Sequence, residues 1–189
     1  MTLTNKIQNL FNDKPIRNNA WRKYSVTGLE FIDEVNNLKP NLVLDLGCGN
    51  NIYKGRINNL IGIDILNNNL QDIYCDIIDL PFKDNSVDVI MAFGSINFGD
   101  DILIDQQIQE AIRVLKPKGR FYFRSIPNHK HSVYYNWTLD KIIKKTEKLN
   151  LEFIVKPKII NKLTRTDPAH DVRTGFRSSE RIFCVWKKS

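Results

Sequence analysis

The stretch Leu42-Val43-Leu44-Asp45-Leu46-Gly47-Cys48-Gly49 decides the fold. It is a short apolar run that stops abruptly in Asp-x-Gly-x-Gly. A second apolar run, Leu60-Ile61-Gly62-Ile63-Asp64, also ends in a carboxylate. Short apolar runs bounded by turn residues read as buried parallel strands. One strand closed by glycines beside another closed by an acid frames a nucleoside crevice at the carboxyl edge of an open sheet.

The glycine turn narrows the choice of nucleoside. Dinucleotide folds use Gly-x-Gly-x-x-Gly, whose third glycine lets the helix pack against the strand. Gly47 and Gly49 fit that pattern, but Ile52 holds the third position. No Gly-Lys-Ser/Thr follows, which argues against a nucleoside triphosphate. Asp45 stands at the mouth of the turn, where its charge would repel a pyrophosphate. A cofactor with a positive end and no phosphate suits that position. S-adenosylmethionine carries an ammonium, a sulfonium and an adenosine, and so meets the requirement.

Over residues 40–127 the chain resembles the class I S-adenosylmethionine-dependent methyltransferases, of the broad type-11 group. Asp45-Leu46-Gly47-Cys48-Gly49 is similar to the first motif, and Gly62-Ile63-Asp64 to the second strand with its acid. Asp76-Ile77-Ile78-Asp79-Leu80-Pro81-Phe82 is similar to the segment after the third strand. Asn85-Ser86-Val87-Asp88-Val89-Ile90 resembles the start of the fourth. Arg113-Val114-Leu115-Lys116-Pro117-Lys118-Gly119-Arg120 resembles the helix end and turn before the fifth. Each motif alone is weak; their order is what carries the resemblance. It implies an α/β, Rossmann-like three-layer sandwich with a mostly parallel seven-stranded sheet. The last strand, here Arg181–Lys187, would run antiparallel.

Length and composition agree with that reading. A chain of 189 residues, 42% apolar and 26% charged, suits one globular domain. We expect residues 1–38 to form an N-terminal helical lid, 39–127 the cofactor-binding core, and 128–189 the substrate side and C-terminal strands. No run approaches the roughly 18 apolar residues of a membrane span. The N-terminus is polar (Asn5, Lys6, Gln8, Asn9, Asn12, Asp13, Lys14) and lacks the apolar core of a secretory signal. Cys48, Cys75 and Cys184 are too far apart for a metal motif and cannot all pair, which favours a reducing, cytoplasmic setting. Cys48 reads as small filler inside the turn rather than as a nucleophile.

Charge is unevenly distributed. Residues 141–189 hold 13 Lys/Arg against 5 Asp/Glu, so a local excess of +8 sits beside a body near neutrality, within a net charge of +7. That end is either a solvated basic face or a surface for an anionic partner such as RNA.

Periodicity gives a helix over 25–37, with Ser25 as cap and Val26, Leu29, Phe31, Ile32 and Val35 on its apolar side. Strands are expected near 60–65, 71–75, 86–92, 119–126, 151–156 and 181–187. Helices are expected at 104–115 and 139–149. About ten residues separate Gly49 from the second strand, and Asn50, Asn51, Gly55, Asn58 and Asn59 among them form helix poorly. The usual helix there must be a turn or so, or missing. The cofactor would then depend on the N-terminal segment for cover.

Ligands of open sheets lie beyond the carboxyl ends of the strands. That rim carries Asp45, Gly47, Cys48, Gly49, Asp64, Ile65, Asp76, Ile77 and Phe93. The glycines admit close backbone approach. By the resemblance, Asp64 accepts the ribose hydroxyls and Ile65 walls the adenine. Asp76 accepts the adenine amino group, with the Ile77 backbone beside it; alternatively Asp76 only caps a turn. Asp79 is expected to cap Leu80-Pro81-Phe82, and Asp88 to make a structural hydrogen bond.

Methyl transfer from a sulfonium is an in-line displacement with a good leaving group, so alignment and water exclusion matter most. The fold itself therefore implies no fixed catalytic residue. The acceptor side is expected at Phe93–Phe98, Pro127–Tyr135 and Trp21–Tyr24, with His129, His131 and Tyr134 as candidates and Tyr134 or Tyr135 as wall residues. Either histidine could act as general base; a surface role or a His-x-His metal pair are the other readings, the latter lacking a third ligand nearby. His170, Asp171, Arg165, Arg173 and Arg177 lie in the loop before the last strand. Trp186 reads as packing. The absence of Asn/Asp-Pro-Pro-Tyr/Phe after the fourth strand argues against amino methylation of DNA bases. The expected activity is S-adenosylmethionine-dependent methylation of a small molecule or glycan precursor. A nucleic-acid acceptor and a non-catalytic cofactor-binding module are the alternatives.

Overall fold

The computed structural model describes residues 31–66, 70–127, 133–161 and 180–189. Among them lie seven strands in one sheet and three helices. In chain order these are α1 (Ile32–Asn37), β1 (Val43–Leu46), β2 (Leu60–Asp64), β3 (Ile73–Tyr74) and β4 (Val87–Phe93). They continue with α2 (Asp101–Val114), β5 (Leu115–Ser125), α3 (Leu139–Lys148), β6 (Leu151–Asn161) and β7 (Glu180–Lys188). The spatial order is β3-β2-β1-β4-β5-β7-β6. The first five strands pair in parallel, and β7 inserts antiparallel between β5 and β6. This is the expected α/β sheet with its antiparallel last strand.

Side-chain alternation splits the sheet into two faces. Leu44, Leu46, Ile63, Ile90, Ala92, Phe121 and Phe123 pack on one side with Ile104, Ile108 and Ala111 of α2, Ile142 of α3, and Trp137. Val43, Leu60, Val89, Met91, Tyr122, Phe183 and Val185 face the other side, covered by Val35 of α1 with Phe31, Tyr53 and Ile57. The Phe31 ring stacks on Phe183 at 4.7 Å, and the Tyr122 hydroxyl donates to Glu34, which fixes α1 to that face. Trp186 is buried packing, as expected, and its Nε1 donates to Thr146 at 2.8 Å.

Helix starts follow side-chain capping chemistry. Asp100 accepts from the Leu103 N–H at 3.0 Å, and Thr138 from Lys141 at 3.2 Å. α2 begins three residues before the expected Ile104 because this cap sits upstream of the apolar stripe. β5 also starts early: Leu115 pairs with Val87, the register then shifts, and regular pairing resumes at Arg120. Lys118 in the intervening turn has φ +63°. β6 runs to Asn161, beyond the expected end at 156, because register shifts let it follow β7 along its full length. Of the expected 25–37 helix, residues 31–37 fall within the described residues, and Ile32–Asn37 form α1.

No helix joins β1 to β2 or β3 to β4. Simple strand–helix alternation therefore fails at both connections, and the first failure was expected from its asparagines. A polar clasp replaces the missing helix. Asn51, at φ +49°, lays its amide against Gly62, where a Cβ would meet it at 2.6 Å. The same amide donates to Leu70 O at 2.9 Å. Asp72 accepts from the Gly62 N–H at 2.7 Å and pairs with Lys54 at 2.8 Å. Asp88 bonds Asn41 N, Leu42 N and Lys116, the structural role expected of it. Asp79 does not play its expected part: Glu110 takes the Leu80 N–H at 2.8 Å while its carboxylate is clamped by Arg113. No helix among the described residues is long and apolar enough to cross a membrane.

Candidate active site

The first turn assembles as its sequence requires. Gly47 and Gly49 adopt φ +67° and +54°, in the left-handed region that glycine enters at no steric cost. A Cβ on Gly47 would lie 2.2 Å from Ser95 Cβ, whereas one on Gly49 would meet nothing within 4 Å among the described residues. The turn is thus pressed against the β4 exit on one side and open on the other. Cys48 N–H donates to Ile63 O at 2.9 Å, tying the turn to β2.

The alternation that sorts the core also sorts the charges. Asp45, Asp64, Phe93 and Arg124 share the α1 side of the sheet, at the carboxyl ends of β1, β2, β4 and β5. Asp64 is 6% exposed. Its Oδ2 accepts from the Gly49 N–H at 2.7 Å and its Oδ1 from Leu66 at 2.8 Å. It is therefore a fixed group at the strand end rather than a loop acid. Burial raises its pKa, and the backbone donors Leu66, Gly49 and Ile65 oppose the rise.

Asp45 is 3% exposed, and its Oδ2 meets no hydrogen-bond partner among the described residues. Burial pushes its carboxyl up to about 8; the neighbouring charge of Asp64 adds to the shift, and the Arg124 guanidinium opposes it. Two carboxyls converging in a buried notch disfavour an anion and favour a cation. Burial, reinforced by the charges of Asp45, Asp64 and Asp72, raises the Cys48 thiol far above its ordinary value. Cys48 stays a neutral filler, as its sequence context suggested. Burial with the charges of Asp76 and Asp79 raises Cys75 to about 11.

The remaining candidates fall around this notch. Ile65 is partly buried beside Asp64, and Ile77 is buried in the α2-side core. The Ile78 N–H donates to Asp76 Oδ1 at 3.3 Å, the turn-capping contact. Phe93 packs edge-on to Tyr53 at 6.1 Å and under the Arg124 guanidinium at 4.4 Å. Tyr134 lies against Phe98 at 4.7 Å. Tyr135 is committed elsewhere: its hydroxyl donates to Asp101, which Lys145 also holds. Its hydroxyl is thereby engaged in the fold between α2 and α3. His129 and His131 lie outside the described residues, as do Trp21–Tyr24, Asn67–Asn69, Arg165, His170, Asp171, Arg173 and Arg177.

Sequence reasoning passed over Arg124 and took Ser95 only as part of the Phe93–Phe98 stretch. Arg124 is 6% exposed at the end of β5, and Ser95 Oγ is buried without a partner among the described residues. The signal for Arg124 was available: it stands two residues after Tyr122, on the same face, where an apolar residue would be expected.

The sheet order, the glycine turn and the two strand-end acids are those that the resemblance implied. The chain belongs to a family described as hypothetical methyltransferase, whose model matches residues 16–163. A 2-phytyl-1,4-naphtoquinone methyltransferase from Nostoc sp. is 34% identical over 79 residues, covering 40% of this chain and 33% of that protein. The ubiquinone/menaquinone biosynthesis C-methyltransferase UbiE of Rickettsia prowazekii is 34% identical over 119 residues, covering 49% of this chain and 46% of that protein. The chain thus spans less than half the length of either curated relative. Among solved structures, the fold is similar to a Burkholderia thailandensis 1,6-didemethyltoxoflavin-N1-methyltransferase with bound 1,6-didemethyltoxoflavin and S-adenosylhomocysteine. The TM-score is 0.69 at 12% identity, over 99% of this chain and 87% of that one. A SAM-dependent methyltransferase from Archaeoglobus fulgidus aligns with TM-score 0.61 at 14% identity, over 89% and 97%.

If Asp64 grips the cofactor sugar, Asp64→Ala should weaken S-adenosylhomocysteine binding by about 1–3 kcal/mol, the scale of a lost buried acceptor. Calorimetry on the folded variant checks this, and unchanged affinity would remove the assignment.

Proposed function

We propose that the protein transfers a methyl group from S-adenosylmethionine to a small-molecule acceptor in the cytoplasm. The observation that carries this reading is the notch at the first turn. Its Asp45 Oδ2 is buried and partnerless among the described residues, Gly49 faces open space, and Asp64 stands fixed beside them. These features fit a cationic nucleoside: the glycine backbone admits it, Asp64 accepts from its sugar, and Asp45 neutralises its positive end. Ile65 and the Asp76–Ile77 segment flank its base. When bound, the cofactor supplies an activated methyl on sulfonium. The protein aligns the acceptor and excludes water. Tyr134, against Phe98, serves as a wall of the acceptor side, while residues 1–30 of the expected lid and both candidate bases, His129 and His131, lie outside the described residues.

A small acceptor is favoured over RNA by two observations. The named relatives include quinone methyltransferases. Several cations of the basic end are already engaged in the fold: Lys145 and Lys148 by Asp105, Lys187 by Glu152, and Lys188 by Asn85 Oδ1 and the Ile112 and Leu115 carbonyls. The test is S-adenosylhomocysteine release across a panel of quinones, phenols, amines and RNA at 50 and 200 mM salt. A small acceptor should turn over with little salt dependence. Turnover confined to RNA and falling about 10³-fold or more over that range would assign a nucleic-acid acceptor instead. Binding without turnover of any acceptor would favour a non-catalytic module.

A further inference from the structure

The chain leaving β4 is bracketed by two glycines in the left-handed region, Gly94 at φ +93° and Gly99 at φ +103°. Between them it runs beside the chain that follows β5. Trp137 Nε1 donates to Ile96 O at 3.0 Å, the Tyr135 N–H to Asn97 O at 2.9 Å, and the Gly99 N–H to Val133 O at 3.1 Å. Phe98 and Tyr134 form an antiparallel bridge, with their rings 4.7 Å apart. Residues 96–99 and 133–137 thus make one two-stranded wall beyond the carboxyl ends of β4 and β5, where an open sheet holds its ligands.

A buried polar pair ties this wall to the sheet. Ser125, the last residue of β5, donates its hydroxyl to Asn97 Oδ1 at 2.6 Å, and both residues are buried. Ser125 stands two residues beyond Phe123, hence on the α2 side of the sheet. Asp45 and Asp64 face the other side, so the pair acts through the loop it holds and not on the notch itself. An apolar pair of the same shape would fill this place at little cost, because replacing both partners of a buried hydrogen bond together is nearly neutral. What the directional bond adds is a single geometry. We propose that Asn97 and Ser125 are positioning residues for the acceptor: their bond sets where the Phe98–Tyr134 wall stands relative to the methyl donor. This rests on the proposed transfer to a small acceptor. In-line displacement is sensitive to small errors of alignment, whereas binding of the donor alone is not.

Steady-state kinetics with S-adenosylmethionine and the small acceptors of the panel above, menadiol, catechol and tyramine among them, test the pair. Titration calorimetry with S-adenosylhomocysteine runs beside them. Ser125→Ala deletes the donor and should lower kcat on the best acceptor by about 10–100-fold, with S-adenosylhomocysteine affinity unchanged. Ser125→Thr, which keeps the hydroxyl, should restore most of that loss. Asn97→Leu combined with Ser125→Ala strands no polar group, so it should melt near the wild-type temperature and yet turn over as slowly as Ser125→Ala. Should Ser125→Ala fail to fold, the double variant decides: slow turnover supports the role and wild-type kcat overturns it. A folded Ser125→Ala with wild-type kcat, or a Ser125→Thr as slow as the alanine variant, overturns the positioning role and leaves methyl transfer standing. A fall in S-adenosylhomocysteine affinity that matches the fall in kcat also overturns it, by assigning the pair to the donor side. A wild-type protein that binds S-adenosylhomocysteine but methylates none of these small molecules overturns the small-acceptor reading and the positioning role with it.

Discussion

Gly47→Ala is expected to cost about 2–5 kcal/mol of folding stability, the sum of a left-handed alanine and an overpacked contact. The contact is specific: the added carbon would lie 2.2 Å from Ser95 Cβ, so either the turn or the β4 exit must move. Gly49→Ala is the matched control. Its φ is also positive, but its Cβ would meet nothing within 4 Å among the described residues. It should lose only about 1–2 kcal/mol of stability, the conformational part alone. If the open side of Gly49 is where the cofactor lies, that variant should nevertheless bind S-adenosylhomocysteine poorly. Chemical denaturation of both variants, followed by titration, separates the two glycines. Equal stability losses would remove the Ser95 contact from the explanation.

The second large effect comes from Asp45. Its folded pKa of about 8 stands well above the ordinary carboxylate range because of burial and the Asp64 charge, with Arg124 opposing. A pKa raised by folding means that the native state binds the proton more tightly than the unfolded chain. The stabilisation is complete below about pH 4 and is lost as pH climbs to about 8. Asp45→Asn stays neutral throughout, so its stability without cofactor should exceed that of the wild type by about 2–4 kcal/mol at pH 8, with the gap shrinking toward pH 4. Cofactor binding should show the reverse pattern. An ammonium requires the ionised carboxylate, so wild-type affinity for S-adenosylhomocysteine should rise from pH 6 to 8, by up to about tenfold per unit. The variant should bind weakly with a flat profile. Thermal melts and titrations across this range test both halves; a variant that tracks the wild type at every pH would assign Asp45 no role in the notch.

Much of this was legible in the chain because buried parallel strands advertise themselves as apolar runs. Val43–Leu46 and Leu60–Asp64 have few alternatives, and the acids that close them are conspicuous against that background. The long-range consequences were not legible. Nothing near Asp79 in sequence announces that Glu110, thirty residues beyond Leu80, will take the Leu80 amide. Asn51 and Asp72 replace a helix through contacts with Gly62 that exist only once β1 and β2 are paired. Local sequence cannot show Asp101 and Lys145 meeting Tyr135 from two different helices. Arg124 was legible only through its alternation with Tyr122; its burial and its place beside Phe93 follow from the pairing of β4 with β5.

The central claim is that the notch above β1 and β2 binds a sulfonium nucleoside through Gly47, Gly49, Asp45 and Asp64. Titration of the intact chain with S-adenosylhomocysteine at pH 7 and pH 8 tests it most directly. One-site binding that tightens at the higher pH, accompanied by a raised melting temperature, is the expected result. A folded protein that gives no heat and melts at the same temperature with saturating ligand would contradict it.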